Sequence, residues 1–223
     1  MKISQILGIR PGVTALLGGG GKTTLMYKLA RELSAVGTVI VCTSTKILDP
    51  DDLPVLTGYS KDDIVSALRN NKIICAGTKA GNGKLAAPEI GFEELKTLAK
   101  YIIVEADGAN RLPAKAHADH EPVIPECTDK TVLVLGADAF GRPIAEICHR
   151  PEIFAKLAGV DIRSAVTPAI VSRVIAGEGL GDRLYINKVE DEQAAVYARE
   201  LADTLRMPVT AGSLKKEEYI CLR

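Results

Sequence analysis

Leu16-Leu17-Gly18-Gly19-Gly20-Gly21-Lys22-Thr23-Thr24 joins an apolar run, Val13-Thr14-Ala15-Leu16-Leu17, to a helical pattern at Leu25, Met26, Leu29, Ala30 and Leu33. Strand, glycine-rich loop and then Lys-Thr at a helix start is the architecture of a phosphate-binding P-loop. Gly18, Gly19, Gly20 and Gly21 let the backbone turn with positive φ and bring N–H groups close to phosphate oxygens. The following helix points its positive end at the anion. In this reading Lys22 neutralises the β- and γ-phosphates and acts in catalysis. The Thr23 hydroxyl sits on Mg²⁺, and Thr24 lies in the same cradle. The competing reading is a flexible glycine linker, which predicts neither Lys-Thr-Thr nor a buried strand before it.

Two positions depart from the general pattern. Leu16 stands where G-x-x-x-x-G-K-[ST] has its first glycine. The remainder, G-G-x-G-K-T-T, resembles the loop of the P-loop class that holds MinD-like ATPases, dethiobiotin synthetase and metallochaperone GTPases. Many of those proteins carry a second lysine where this chain has Leu17.

A length of 223 residues fits one α/β domain, and no repeat or linker divides it, so residues 1–223 read as a single nucleotide-binding domain. Formal net charge is zero, which gives no basic footprint for nucleic acid. No apolar run has transmembrane length, and the apolar stretch after Met1 is too short for a signal peptide. Five scattered cysteines without C-x-x-C suggest reduced thiols and a cytoplasmic location.

Short apolar runs alternate with helical patterns, which predicts a three-layer α/β domain with a mainly parallel sheet, like that of P-loop NTPases. Strands are expected at 38–42, 72–78, 101–105, 131–135, 183–186 and 208–211. Helices are expected from the glycine loop to near Gly37, and over 60–70, 92–100, 152–158, 168–176 and 191–206. Ser60 and Asp63 form a capping box. Gly81-Asn82-Gly83 reads as the turn of a hairpin carrying Lys79 and Lys84.

Three further stretches belong on the ligand side, beyond the carboxyl ends of parallel strands. The strand 101–105 ends in Glu105-Ala106-Asp107-Gly108, where such folds place a magnesium-side carboxylate; Glu105 and Asp107 are both expected as metal ligands, and Asp107 also as catalytic. Strand two ends in Thr43-Ser44-Thr45-Lys46. Thr45 or Thr43 can reach the metal or the γ-phosphate, and Lys46 can meet phosphate or an acidic substrate. Asn187-Lys188-Val189-Glu190 follows the guanine-reading N-K-x-D pattern with Glu190 at the Asp position. A carboxylate there accepts both guanine donors, which favours GTP over ATP. Asp191 can instead cap the next helix.

Gly18–Thr24, Thr43-Ser44-Thr45-Lys46-Ile47, Val104-Glu105-Ala106-Asp107-Gly108-Ala109, His120-Glu121-Pro122-Val123-Ile124-Pro125 and Asn187-Lys188-Val189 together resemble the YqeC family, in the same order and over most of the chain. Ser44 and His117 are mild departures. Proteins of that family are described as accessory proteins of selenium-dependent molybdenum hydroxylases. The resemblance implies a P-loop protein that works with such a hydroxylase or with another cofactor-maturation protein. A molybdopterin-type ligand is a further implied partner.

His117, His120, Cys127, Cys148 and His149 fall within 33 residues. They read either as a metal site or as local packing and hydrogen bonding. Arg111, Lys115, Arg142, His149 and Arg150 offer cations for an anionic ligand. The expected activity is therefore Mg-nucleoside triphosphate binding and hydrolysis. A small-molecule kinase and a non-hydrolysing scaffold are the two alternatives.

Overall fold

The computed structural model describes all 223 residues. Its centre is a nine-stranded sheet built from β1 (Gly12–Gly18), β2 (Val39–Thr43), β3 (Val55–Leu56), β4 (Ile73–Ala76), β5 (Tyr101–Glu105), β6 (Thr128–Gly136), β7 (Arg183–Asn187), β8 (Val209–Ser213) and β9 (Glu218–Cys221). The spatial order is β9-β8-β7-β6-β1-β5-β2-β4-β3, and only β9 runs antiparallel. β1 is buried along its whole length, as a strand covered on both faces must be.

The alternation of β1 distributes the core. Leu16 packs with α1 (Ile3–Ile6) and α2 (Lys22–Leu33) on one face, through Ile3, Leu25, Met26 and Leu29. On the opposite face Val13 joins α3 (Lys61–Asn70) and α4 (Phe92–Leu98). Ala15 and Leu17 on that same face meet the helices that follow β6, namely α5 (Ile144–Ile147), α6 (Pro151–Ala158), α7 (Pro168–Glu178) and α8 (Glu192–Thr204). This is the three-layer α/β arrangement that the sequence predicts.

Several boundaries differ. α2 ends at Leu33 and Gly37 is not its left-handed terminator; a side chain there would strike Lys100 instead. The run at 72–78 breaks after Ala76. Thr78–Lys79 leaves the main sheet and pairs with Lys84–Ala86, which in turn pairs with Lys46–Leu48 to make a small three-stranded sheet. β6 begins three residues early, at polar Thr128, because Asp129 accepts a hydrogen bond from Val13 N–H at 2.8 Å. The capping box at Ser60 and Asp63 is present.

The chain passes from β1 to strands on one side and later, from β6 onward, to strands on the other. The carboxyl end of β1 therefore opens at the switch point of the sheet, where α/β proteins carry their ligands. No helix is long and apolar enough to cross a membrane.

Candidate functional site

The glycine loop is rigidly packed, not a linker. Gly20 has φ +77°, and a Cβ there would lie 2.1 Å from the Gly136 backbone nitrogen. The Gly20 N–H donates to Leu112 O at 3.0 Å, and Gly19 N–H to Val134 O at 2.9 Å. Asn187 Nδ2 donates to Gly20 O at 2.8 Å. Only glycine fits this channel between β6, the loop after β5 and the end of β7. The N-cap of α2, Gly21, has no side chain to offer, so the first amides of the helix keep no cap and open onto a cleft.

That cleft measures about 1200 Å³. Its floor is Gly20, Gly21, Lys22, Thr23 and Thr24, with Glu105 at the end of β5. Thr23 Oγ1 donates to Glu105 Oε2 at 2.7 Å. Lys22 is almost wholly buried. Its ammonium donates to Gly18 O at 2.5 Å, pairs with Asp107 Oδ1 at 2.9 Å and lies 3.9 Å from Glu105 Oε1. Burial pushes the Glu105 carboxyl up, and Lys22 with Thr23 offsets only part of that.

Glu105 and Asp107 take different roles. Asp107 is fully buried and does not line the cleft. Its Oδ2 accepts from Gly18 N–H at 2.9 Å and faces His117 Nε2 at 2.6 Å. Its Oδ1 has no hydrogen-bond donor of good geometry and is compensated by the Lys22 charge. Burial alone would raise this carboxyl. The His117 hydrogen bond, Lys22, Lys115 and the Gly18 amide outweigh burial and hold it below the usual carboxylate range. His117 in turn places Nδ1 3.0 Å from Glu178 Oε2, so both ring nitrogens face carboxylates. Burial would lower its pKa, but bonds to Asp107 and Glu178 win and raise it.

A second network lies behind the loop after β5. Lys115 donates to Gly108 O at 2.6 Å and pairs with Glu121 at 3.0 Å; Arg150 pairs with the same carboxylate at 2.9 Å. Burial opposes ionisation of Glu121, yet Arg150 and Lys115 bring its carboxyl down to about 2.

Thr45, Lys46, Lys188, Arg111 and His149 line the cleft, as do Lys84 and Asn110, which sequence reasoning assigned no site role. The signal for Lys84 was the Gly81-Asn82-Gly83 hairpin, whose partner strand could not be read from local pattern. Thr43 is buried beneath, with its hydroxyl on Glu105 O at 2.8 Å. Asn187 is buried and acts on the glycine loop, not on the cleft. Glu190 lies outside the cleft. Its carboxylate accepts from Ser213 Oγ at 2.8 Å, and Asp191 caps α8 through Ala194 N–H at 2.8 Å. Arg142 pairs with Glu146, away from the site.

The histidines and cysteines between 117 and 149 do not assemble a metal site, and no cluster of three His, Cys, Asp or Glu side chains suited to a metal exists in the molecule. Each has a local partner. His120 meets Arg150 at 3.3 Å and His149 meets Asn110 at 3.3 Å, while the Cys148 thiol donates to the His149 carbonyl. Cys127 packs beside α4.

Comparison with known proteins matches residues 14–152 to the family described as YqeC protein. That span runs from β1 through the glycine loop, Glu105, Asp107 and the Glu121 network, and stops before Asn187. Over 165 residues the chain is 32% identical to "Uncharacterized protein YqeC" of Escherichia coli (strain K12). The match takes in 68% of this chain and 62% of that protein, so the chain spans less than two thirds of this relative's length. On a family match that covers more than half of its residues, the chain belongs to the YqeC family.

Proposed function

We propose that the cleft binds the magnesium complex of a nucleoside triphosphate, GTP or ATP, and hydrolyses its terminal phosphate. The observation that carries this reading is the joint placement of Lys22, Thr23 and Glu105. Uncapped amides of α2 open onto the cleft, Lys22 is held in it by Gly18 O and Asp107, and the Thr23 hydroxyl is bonded to Glu105. Helix amides and a lysine provide for a polyphosphate.

Thr23 and Glu105 fit Mg²⁺, because both present hard oxygen donors from one side of the cleft. Magnesium takes one or two protein oxygens and fills its shell with phosphate and water, so a larger protein ligand set is not needed. When bound, the metal supplies charge neutralisation at the phosphates. Asp107 is a positioning residue. It fixes the Gly18 amide and the Lys22 ammonium, so that Lys22 is pre-oriented where charge develops on the transferring phosphate.

The resemblance to the YqeC family implies a role as an accessory factor in maturing a selenium-dependent molybdenum hydroxylase, and we propose that role for this chain. The nucleotide then drives either a conformational change or modification of a cofactor. Calorimetric titration of Mg-ATP and Mg-GTP, with phosphate release measured in parallel, tests the reading. Saturable binding is expected, abolished by Lys22→Ala in variant protein whose circular dichroism shows it folded. A parent protein that binds neither triphosphate removes it.

A further inference from the structure

We infer that the cleft contains a second subsite, beside the glycine loop, for a small molecule bearing a phosphate group. The wall opposite α2 is the small sheet that Lys46–Leu48 forms with Lys84–Ala86. Register sets which side chains share a face. Lys46 opposes Ala86, Ile47 opposes Leu85, and Leu48 opposes Lys84. Ile47 and Leu85 point into the core, so Lys46, Leu48 and Lys84 stand together on the other face. Lys46 and Lys84 are diagonal neighbours across the ladder, with backbones about 7–8 Å apart, close enough for two ammonium groups to grip one phosphate.

Arg111 adds a third cation from the loop after β5. Asn110 and Arg111 both have positive φ, 49° and 62°, a conformation that non-glycine residues adopt at a cost. None of Lys46, Lys84 and Arg111 takes part in an ion pair, whereas Lys115, Arg150 and Lys188 on the same cleft or behind it are all paired. The carboxylates nearby are already committed. Glu121 is held by Lys115 and Arg150, and Glu105 by Thr23 beside Lys22.

Three unpaired cations from three segments therefore face one cleft, and its volume exceeds the roughly 300–1,000 Å³ typical of a pocket for one small ligand. A triphosphate on the α2 amides and Lys22 leaves this wall for a second anion. Leu48, half exposed between the two lysines, gives the non-phosphate part of that molecule an apolar contact. His149 adds a hydrogen-bonding edge. Burial, Lys115 and Arg150 push its pKa down, and Asn110 Nδ2 lies 3.3 Å from its Nδ1.

The subsite deepens the triphosphate reading and rests on it for the occupant of the glycine loop. Equilibrium dialysis of radiolabelled inorganic phosphate, against protein saturated with a non-hydrolysable magnesium triphosphate analogue, tests it. Uptake of phosphate in the presence of the analogue is expected, weakened at least about tenfold by the double substitution Lys46→Ala, Lys84→Ala, a loss of about 1.4 kcal/mol. Both lysines are exposed, so this variant keeps its fold, and its analogue affinity is measured alongside so that phosphate uptake is compared at equal saturation of the glycine loop. Phosphate displaced by the analogue, or bound equally well by the double variant, overturns the subsite. If the analogue itself fails to bind, the triphosphate reading falls. The dialysis is then repeated without analogue on the parent and the double variant, where phosphate binding that depends on Lys46 and Lys84 sustains the subsite and binding that does not removes it.

Discussion

Replacing Asp107 by Asn should destabilise the whole fold, far more than a change at a ligand-facing residue would. The carboxylate is fully buried and serves Lys22 at 2.9 Å, Gly18 N–H at 2.9 Å and His117 at 2.6 Å. An asparagine keeps one acceptor for the Gly18 amide. That oxygen also serves His117, so the NH₂ is turned toward the Lys22 ammonium, itself a donor; the opposite flip sets the NH₂ against both Gly18 N–H and His117. Removing one member of a buried ion pair costs about 3–5 kcal/mol, because the remaining charge is left uncompensated. Lys22 loses its buried carboxylate and a donor is set against it in its place, so the upper half of that range is expected. Domain stability as a whole is about 5–15 kcal/mol. With an m-value of about 2.5–3 kcal/mol/M, the urea midpoint should fall by about 1–2 M. Unfolding of parent and variant followed by circular dichroism measures this directly. A midpoint within about 0.3 M of the parent would refute the argument that this carboxylate holds Lys22 and His117 in place.

Glu105→Gln should behave in the opposite sense: stability unchanged or raised, because burial disfavours the charge, with magnesium-dependent turnover lowered by about 2–4 kcal/mol of transition-state stabilisation; equal turnover in paired assays would exclude Glu105 from the metal side. His117→Gln should remove a pH-dependent contribution. The folded pKa of His117 is raised above the ordinary 6.5, so its contribution is complete below pH 6.5 and is lost as pH rises through the folded value. The stability gap between parent and variant should therefore narrow from pH 6 to pH 9, and a constant gap in urea titrations would contradict this. Gly20→Ala should cost both folding stability and triphosphate affinity, since its Cβ meets backbone at 2.1 Å; a variant with parental melting behaviour would show that the loop gives way. Glu190→Ala should leave the ratio of GTP to ATP affinity unchanged, because this side chain is bonded to Ser213 outside the cleft, and competition binding that shifts the ratio would return Glu190 to base reading.

What could be read in the chain alone follows from how local each signal is. Val13–Leu17 and Tyr101–Val104 are continuous apolar runs, and burial on both faces leaves a strand no other composition. Ser60 with Asp63, and Asp191 before α8, announce helix starts through side chains that bond three residues onward. The edges were harder. Val55–Leu56 is a two-residue strand inside a proline-bearing loop, and β9 is held by backbone pairing with β8 while its side chains are largely exposed, so neither leaves an apolar period. Within the site, Lys22, Thr23 and Glu105 could be named because the strand and helix termini place them. The separation of Glu105 from Asp107 could not. They are two residues apart on one strand end, and Asp107 is turned inward by His117 and Gly18 N–H, the first a partner ten residues on and the second 89 residues back.

The bond from Asn187 to the Gly20 carbonyl spans 167 residues of chain. Asn187 is also held by Leu214 N–H at 3.2 Å, which brings in the turn after β8. A chain emerging from the ribosome therefore carries its glycine loop well before it carries the clasp. Until Asn187 and Leu214 have been synthesised and docked, Gly18–Gly21 lacks one wall of its channel. Ligand competence waits for Asn187, so a nascent chain stalled before Asn187 should be cut by protease within the glycine loop, and a chain carrying Asn187 and Leu214 should resist at the same site.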